Sequence, residues 1–293
     1  MPKRIITIDL YCGIGGATQG MIDAGATVVL SIDGWKVAKH FHKKNYPNVP
    51  FVQRMLGEEP DEDLQILIDA LLDAGDRDDI HIHIHGSPPC QAFSTAAGGH
   101  RRPLIDGLAN INHFLWLVDE LRSRDLCDSW SMENVPAARR HLKHLPHEMI
   151  MASNHGAPQA RKRWFAGEGW ETKPTNGALS WNEVIDDPTI PVGSVLNVVG
   201  AAWSGSNRAK SSDSPWGSPS RTITRQLPVI RKEKTDGTFK KIRGLTMDEV
   251  ARLQGFPAGM NLTTPTDQRD LGIALGNCVC PPAMAAVING IFM

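Results

Sequence analysis

Arg4-Ile5-Ile6-Thr7-Ile8-Asp9-Leu10-Tyr11-Cys12-Gly13-Ile14-Gly15-Gly16 decides the fold. Arg4 to Tyr11 predicts a buried first strand. It runs into a glycine-rich turn, then a short helical stretch through Met21 and Ile22 that stops at Gly25. Strand, glycine turn and helix is how Rossmann-type folds bring backbone close to a cofactor, because glycine carries no Cβ. The spacing is not GxGxxG, so no dinucleotide is implied, and a turn without a ligand stays open. Thr27 to Ile32 predicts the second strand, with Asp33 at its carboxyl end. An acid there accepts hydrogen bonds from ribose hydroxyls, or caps the stretch Trp35 to Lys44, or both.

Working outward, Asp61 to Leu72 reads as an amphipathic helix. Leu64, Leu67, Ile68, Leu71 and Leu72 share one face and the acids the solvated other. Ile80 to His85 alternates Ile and His, so His81, His83 and His85 project from one side of a strand. Three imidazoles can hold a metal, but no acid or cysteine stands at ligand spacing, so packing under a helix is expected and no metal is assigned. The strand leads into Gly86-Ser87-Pro88-Pro89-Cys90-Gln91-Ala92-Phe93-Ser94. Two prolines make that loop stiff, and a thiol held rigidly at a strand's carboxyl end is a candidate nucleophile. A buried, inert cysteine is the bland alternative.

Leu108, Ile111, Leu115, Val118 and Leu121 mark a covering helix. Trp130 to Met132 lead into Glu133-Asn134-Val135-Pro136, which sets an acid at another strand end. Met149 to Ser153 predicts a further strand, and Trp164 to Ala166 completes one. Between them, Arg161 and Arg163 alternate along an extended segment and are expected to face the same way, suited to phosphate or carbonyl oxygens. The alternation of strand and helix up to about residue 166 gives an α/β core with a mostly parallel sheet and helices on both faces. Beyond Gly167 the texture turns loop-rich, with Trp170, Trp181, Trp203 and Trp216 read as anchors of a small unit and not as base-stacking platforms. Leu227 to Lys234 and Thr238 to Arg243 flank an Asp236-Gly237 turn and predict a cationic hairpin. Thr246 and Glu249 form a capping box. Gly276 to Pro282 turns into a terminal apolar helix, Ala283 to Ile291. The expected division is 1–166 with 272–293 as the catalytic, cofactor-binding domain and 167–271 as a small recognition region.

The 293 residues, 41% hydrophobic and 22% charged, suffice for one large core and a smaller unit. A net charge of -1 excludes an all-over basic protein but hides an asymmetry. Glu58 to Asp79 is acidic, whereas Arg139 to Arg163 and Arg221 to Arg243 are basic enough to meet phosphates. Five scattered cysteines without a CxxC pair indicate neither a disulfide framework nor a zinc site. With no signal peptide and no apolar run of spanning length read, a cytoplasmic monomer without a membrane or obligate protein partner is expected.

Taken in order, these segments resemble the cytosine-5 DNA methyltransferases over nearly the whole chain, except about residues 50–80 and 167–218. Asp9 to Gly16 is similar to the family's S-adenosylmethionine loop, with tyrosine where phenylalanine is usual. The resemblance therefore implies that cofactor, contacted by Tyr11, Cys12, Gly13, Gly15 and Gly16, by Asp33 on the ribose, by Gly34 and Trp35, and by Pro88, Asn277 and Val279. Pro88-Pro89-Cys90-Gln91 resembles the catalytic motif, with Cys90 as nucleophile. Glu133-Asn134-Val135 resembles the motif whose glutamate meets the target base, and Gln159 to Arg163 the QxRxR motif, which adds Arg161 and Arg163 to the catalytic set. Ser220 to Thr224 and Arg252 to Pro257 resemble the support of the recognition region, and Gly276-Asn277-Cys278-Val279 the GNSV motif with cysteine for serine. Two departures stand out. Gly34 precedes Trp35 where an aromatic residue often follows the acid, and Gln53-Arg54-Met55 occupies the place of the acid that meets the adenine amino group.

The implied activity is methyl transfer to C5 of a flipped-out cytosine in duplex DNA through a Cys90–C6 bond, in a restriction-modification setting. A tRNA methyltransferase of the same chemistry and an inactive nucleic-acid-binding homologue are the alternatives. Gln91, Ser94, Arg221, Arg231, Lys232, Lys240, Lys241 and Arg243 are the expected DNA contacts. Gly98 and Gly99 are expected to hinge a lid. A short recognition region implies a site of roughly two to four base pairs.

Overall fold

The computed structural model describes residues 3–94, 103–175, 177–198, 213–223, 228–264 and 267–292. The lid glycines Gly98 and Gly99, together with Trp203, Thr224 and Leu227, lie outside the described residues.

The first half alternates strand and helix: β1 (Arg4–Leu10), α1 (Gly16–Asp23), β2 (Thr27–Asp33), α2 (Lys36–Asn45), β3 (Phe51–Gln53), α3 (Pro60–Leu72), β4 (Ile80–Gly86), α4 (Leu104–Ser123) and β5 (Ser129–Asn134). Then come β6 (His147–Met151), the short β7 (Gln159–Ala160) and β8 (Lys162–Glu168). The main sheet runs β3-β2-β1-β4-β5-β8-β6. Its first strands are parallel, and β8 lies antiparallel between β5 and β6. The order reverses between β1 and β4, so the carboxyl ends of those strands flank the crevice where such sheets bind ligands.

Period-two alternation gives the sheet two unlike faces. Ile6, Ile8, Leu10, Ile82, Ile84, Trp130 and Met132 pack beneath the apolar sides of α3 and α4. The opposite face carries Thr7, Asp9, His83, His85, Ser129 and Ser131, all fully buried. It lies under α1 and the last helix, α8 (Pro281–Asn289). That layer is tight: a Cβ on Gly16 would stand 2.1 Å from the Val279 carbonyl oxygen, so only glycine fits.

Two expectations for α3 are corrected. Leu72 is 65% exposed because the helix ends there, and Asp63 is not solvated but fully buried. Its carboxylate pairs with Arg54 and His113 and accepts from the Gly57 N–H.

The rest of the chain builds a second sheet, β10-β9-β12-β13, from β9 (Val195–Asn197), β10 (Asp213–Ser214), β12 (Val229–Glu233) and β13 (Phe239–Gly244). A two-residue strand, β11 (Ser220–Arg221), pairs with β7. β12 and β13 are the expected hairpin, with Gly237 at φ 76° in its turn. The region also holds α5 (Trp181–Val184), α6 (Met247–Leu253), which carries the expected capping box, and α7 (Gln268–Asn277). Trp181 is fully buried with Trp216 edge-on at 5.4 Å. Trp170 instead belongs to the main sheet, donating to the Trp130 carbonyl. A boundary at residue 272 would cut α7, whose Leu271, Ala274 and Leu275 share one core with Trp181, Ile230 and, from the first half, Ile14 and Phe41. The stretch Arg269–Asn289 is long and apolar enough to span a membrane, but 72% of its apolar window is buried inside the fold.

Candidate active site

The carboxyl ends of β1, β2, β4 and β5 surround a cavity of about 210 Å³. Tyr11, Cys12, Gly13, Asp33, Gly34, Trp35, Pro88, Cys90, Gln91, Glu133, Asn277 and Val279 line it. Expected cofactor and catalytic residues from five separate segments thus meet in one place. Gly15 and Gly16 stand behind the wall, where they allow α1 to pack closely. Ile14, Arg54, Met55, Leu56, Ser87, Pro89, Asn110, Ala274 and Cys278 complete the lining without having been singled out as site residues. Most are neighbours of motif residues. Asn110 comes from α4 and carries no local signal.

Asp33 is fixed from two sides. Its Oδ2 accepts from the Gly13 N–H at 2.9 Å and its Oδ1 from the Trp35 N–H at 2.7 Å. It therefore ties the glycine turn to the start of α2, and each oxygen keeps a lone pair for a ligand hydroxyl. Tyr11 sits at φ 55°, unusual outside glycine, and its hydroxyl donates to the Asn110 carbonyl. A Cβ on Gly34 would collide with Met55 Sδ at 2.1 Å. The absence of that Cβ lets Met55 lie beside the acid with Trp35 nearby. Both side chains are exposed and apolar, fit to flank a planar ring. Arg54 is bound by Glu59, Glu62 and Asp63.

The catalytic loop is braced as its prolines suggest. Asn134 Nδ2 donates to the Pro88 carbonyl at 3.1 Å, joining the loop to the end of β5. The Phe93 and Ser94 N–H groups both donate to the Cys90 carbonyl. Burial pushes the Cys90 thiol above its ordinary range, with Glu133 adding to the rise and Arg163 and Arg161 opposing it. Glu133 is buried at the same wall and forms an ion pair with Arg163 Nε at 2.8 Å. Burial raises its pKa, and the two arginines pull it down.

Arg161 and Arg163 have different partners. Arg161 lies between β7 and β8, its own N–H turned back to the Gln159 carbonyl. Its buried guanidinium donates to the carbonyls of Ile223, Gly276 and Cys278. It holds the Asn277-to-Val279 wall and does not reach the cavity.

The family model for C-5 cytosine-specific DNA methylases matches residues 5–168 and 178–293. The chain belongs to this family. It is similar to the Type II methylase M.HgiDII of Herpetosiphon aurantiacus, 27% identical over 68% of the chain and 57% of the relative. Against the Type II methyltransferase M.NgoBI of Neisseria gonorrhoeae identity is 25%, over 96% of the chain and 90% of the relative. The chain thus spans little more than half the length of the Herpetosiphon relative. Among solved structures, Spodoptera frugiperda DNMT2 superposes with a TM-score of 0.63 at 17% identity, covering 99% of this chain and all of that one. At that identity the likeness concerns the fold.

In this member of the family the expected DNA contacts divide. Gln91 lines the cavity and Ser94 closes the turn after Cys90. Arg221 donates through Nε to the Asp213 carbonyl. Two hairpin cations already have acidic partners within the protein. Arg231 is paired bidentately with Asp213 and lies over Phe239. Arg243 is held by Asp187 and Glu249. Lys232 donates to the Val192 carbonyl. Lys240 and Lys241 are exposed and enter no ion pair among the described residues.

Proposed function

We propose that the chain is a DNA (cytosine-5) methyltransferase with S-adenosylmethionine as methyl donor. The observation that carries this reading is that Cys90 and Glu133 line the same cavity as the Tyr11-to-Ile14 turn and Asp33. The cradle fits the donor: Asp33 has free acceptor capacity for ribose hydroxyls, backbone lies open at Gly13, and Trp35 and Met55 offer apolar surface to an adenine. When bound, S-adenosylmethionine supplies an electrophilic methyl group.

The chain's own residues prepare the base. The Cys90 thiolate adds to C6 of the cytosine, forming an S–C6 bond and turning the ring into an enamine whose C5 is nucleophilic. Glu133, with its raised pKa, shares a proton with N3 so that charge does not build on the ring. Arg163 holds the Glu133 carboxylate in place through Nε. Loss of the C5 proton then returns its electron pair to the ring and expels Cys90 as thiolate. C5 is unreachable in a duplex, so the base must be flipped out at a cost of a few kcal/mol.

Transfer of tritiated methyl groups to duplex DNA, with tRNA as the parallel substrate, tests the assignment. Labelling of DNA is expected. Labelling of tRNA alone would replace it with the RNA reading, and labelling of neither would leave an inactive homologue. Bisulfite sequencing of the product then reads the site. A place in a restriction-modification pair follows from the Type II relatives, and a monomer suffices for the chemistry.

The hairpin reading is narrowed to Lys240 and Lys241 by the ion pairs around them. Lysines there position a duplex through its phosphates without reading bases. Replacing both by alanine is expected to weaken binding to all sequences alike and to flatten the plot of log K against log salt by about 0.9 per lost contact. Filter binding across a salt series measures this. An unchanged slope, or a changed site preference, would remove the hairpin from the interface.

A further inference from the structure

His81, His83 and His85 project from one face of β4, and Ser129 and Ser131 from the same face of β5. The strands pair in the register His83↔Ser129 and His85↔Ser131. Each hydroxyl sits between two rings. Ser129 Oγ lies 2.8 Å from both His81 Nε2 and His83 Nδ1. Ser131 Oγ lies 2.8 Å from His83 Nε2 and 2.7 Å from His85 Nδ1. His85 Nε2 lies 3.1 Å from Ser87 Oγ. The middle of this chain is fully buried. Its ends are not. His81 is half-buried beside Phe292 at the amino-terminal edge of β4, and Ser87 lines the cavity with Cys90.

Such a chain has only two consistent states. A neutral imidazole donates through one nitrogen and accepts through the other, and a hydroxyl has a single proton. For Ser129 and Ser131 that proton has no acceptor among the described residues except a flanking ring nitrogen, so each hydroxyl donates to one ring and accepts from the other. Every link must therefore point the same way, so His83 and His85 both carry the proton on Nδ1 or both on Nε2. Burial favours the neutral form of both rings, lowering His85 to about 3 and His83 well below its ordinary range.

We propose that Ser87, His85, Ser131, His83, Ser129 and His81 form a single-file proton wire from the candidate active site to the far edge of the sheet. The proposal rests on the methyl-transfer reading for the source of the proton. Methylation replaces a C5–H bond by a C–C bond, so one proton must leave a site covered by its substrate. Cavity water takes that proton and gives one to Ser87. Ser87 passes its hydroxyl proton to His85 Nε2, and the Nδ1 proton of His85 moves to Ser131. The same pair of transfers runs through His83 and Ser129 to His81, which releases a proton to solvent. The passage leaves every link reversed. Once product has left, a proton entering at His81 and leaving through Ser87 into the open cavity restores the first state. At the outer end burial holds the His81 imidazole below its ordinary range, where a proton is readily given up to solvent; Asp128 opposes that shift, and Arg77 and Lys3 add to it.

Two measurements test the wire. Nitrogen-15 spectra of the free protein are expected to show one shared tautomer on His83 and His85. Opposite tautomers, or an imidazolium at either ring near neutral pH, would overturn the wire whether or not the protein methylates anything. Ser131→Ala cuts the chain at its middle without touching the cavity, and His81→Phe removes the exit from a half-exposed position. Each is expected to lower kcat at least about tenfold with KM held, and to let the covalent Cys90–DNA adduct accumulate during turnover, because its breakdown waits on the proton. A merely structural loss lowers formation and breakdown together and leaves no adduct. Two folded variants that turn over without accumulating adduct would overturn the proposal. A wild-type protein that transfers no methyl group would instead overturn the methyl-transfer reading, with the tautomer result still standing.

Discussion

Cys90→Ala is expected to lower methyl transfer by about four orders of magnitude or more, while cofactor and DNA binding persist. The loop does not depend on the thiol for its shape. Two prolines, the Asn134 bond to the Pro88 carbonyl and the turn bonds to the Cys90 carbonyl set its course. Removing sulfur therefore removes the nucleophile and little else. Wild-type protein is expected to form a covalent adduct with duplex DNA carrying 5-fluorocytosine, because fluorine cannot leave as a proton does, and the alanine variant is not. The pH dependence has a definite sign. The thiol pKa in the free protein lies above its ordinary value through burial and the Glu133 carboxylate. At neutral pH the thiolate is then a small fraction that grows tenfold per unit, so kcat/KM is expected to climb with pH on that side of neutrality. Denaturing gels and tritium transfer read both results. Full turnover by the alanine variant would end the covalent reading.

The parts of the site legible in the sequence were those whose geometry is local. The turn from Tyr11 to Gly16, Asp33 at the end of β2 and Cys90 after two prolines depend on neighbours within a few residues, and they meet at the cavity as read. The alternation of Ile and His in β4 gave the face of each imidazole correctly. Its partners were legible too, since Ser129-Trp130-Ser131 alternates with the same period, but only once β4 and β5 are known to be adjacent. What escaped reading was long-range. Arg231 and Arg243 look like free cations in a basic hairpin until Asp213 and Asp187, far along the chain, fold against them. Asp63 looks like one acid among several on α3 until Arg54 and His113 close over it. The strand at Trp164 to Ala166 was legible but its antiparallel direction was not, because direction is set by the distant strands β5 and β6 that it pairs with. Helix α7 was missed because the turn residues beside it outweigh its periodic signal.

Arg161→Met is expected to lower global stability by about 3–5 kcal/mol, the largest loss foreseen for a single side chain outside the hydrophobic core. Methionine matches much of the volume, so the cost is polar. The guanidinium donates to the carbonyls of Ile223, Gly276 and Cys278, at 3.2, 3.0 and 2.9 Å. Each acceptor left unpaired in the interior costs about 1–3 kcal/mol. Part of that is offset because burying the charge is itself unfavourable: burial, with Arg163 next, pulls its pKa down to about 10. The chain length around this residue also matters. Arg161 joins β7, the segment after β11 and the loop that ends α7, so its loss removes three links among these parts of the chain. The cavity is expected to loosen where Asn277 and Val279 line it, and cofactor affinity to fall with stability. Arg163→Met supplies the contrast. Its ion pair is with Glu133 at the cavity, so it is expected to lower kcat with a smaller loss of stability. Urea unfolding and steady-state rates on the two variants separate these roles. Wild-type stability in Arg161→Met would show that the three carbonyls find other donors, and an equal stability loss in both variants would return the two arginines to a single role.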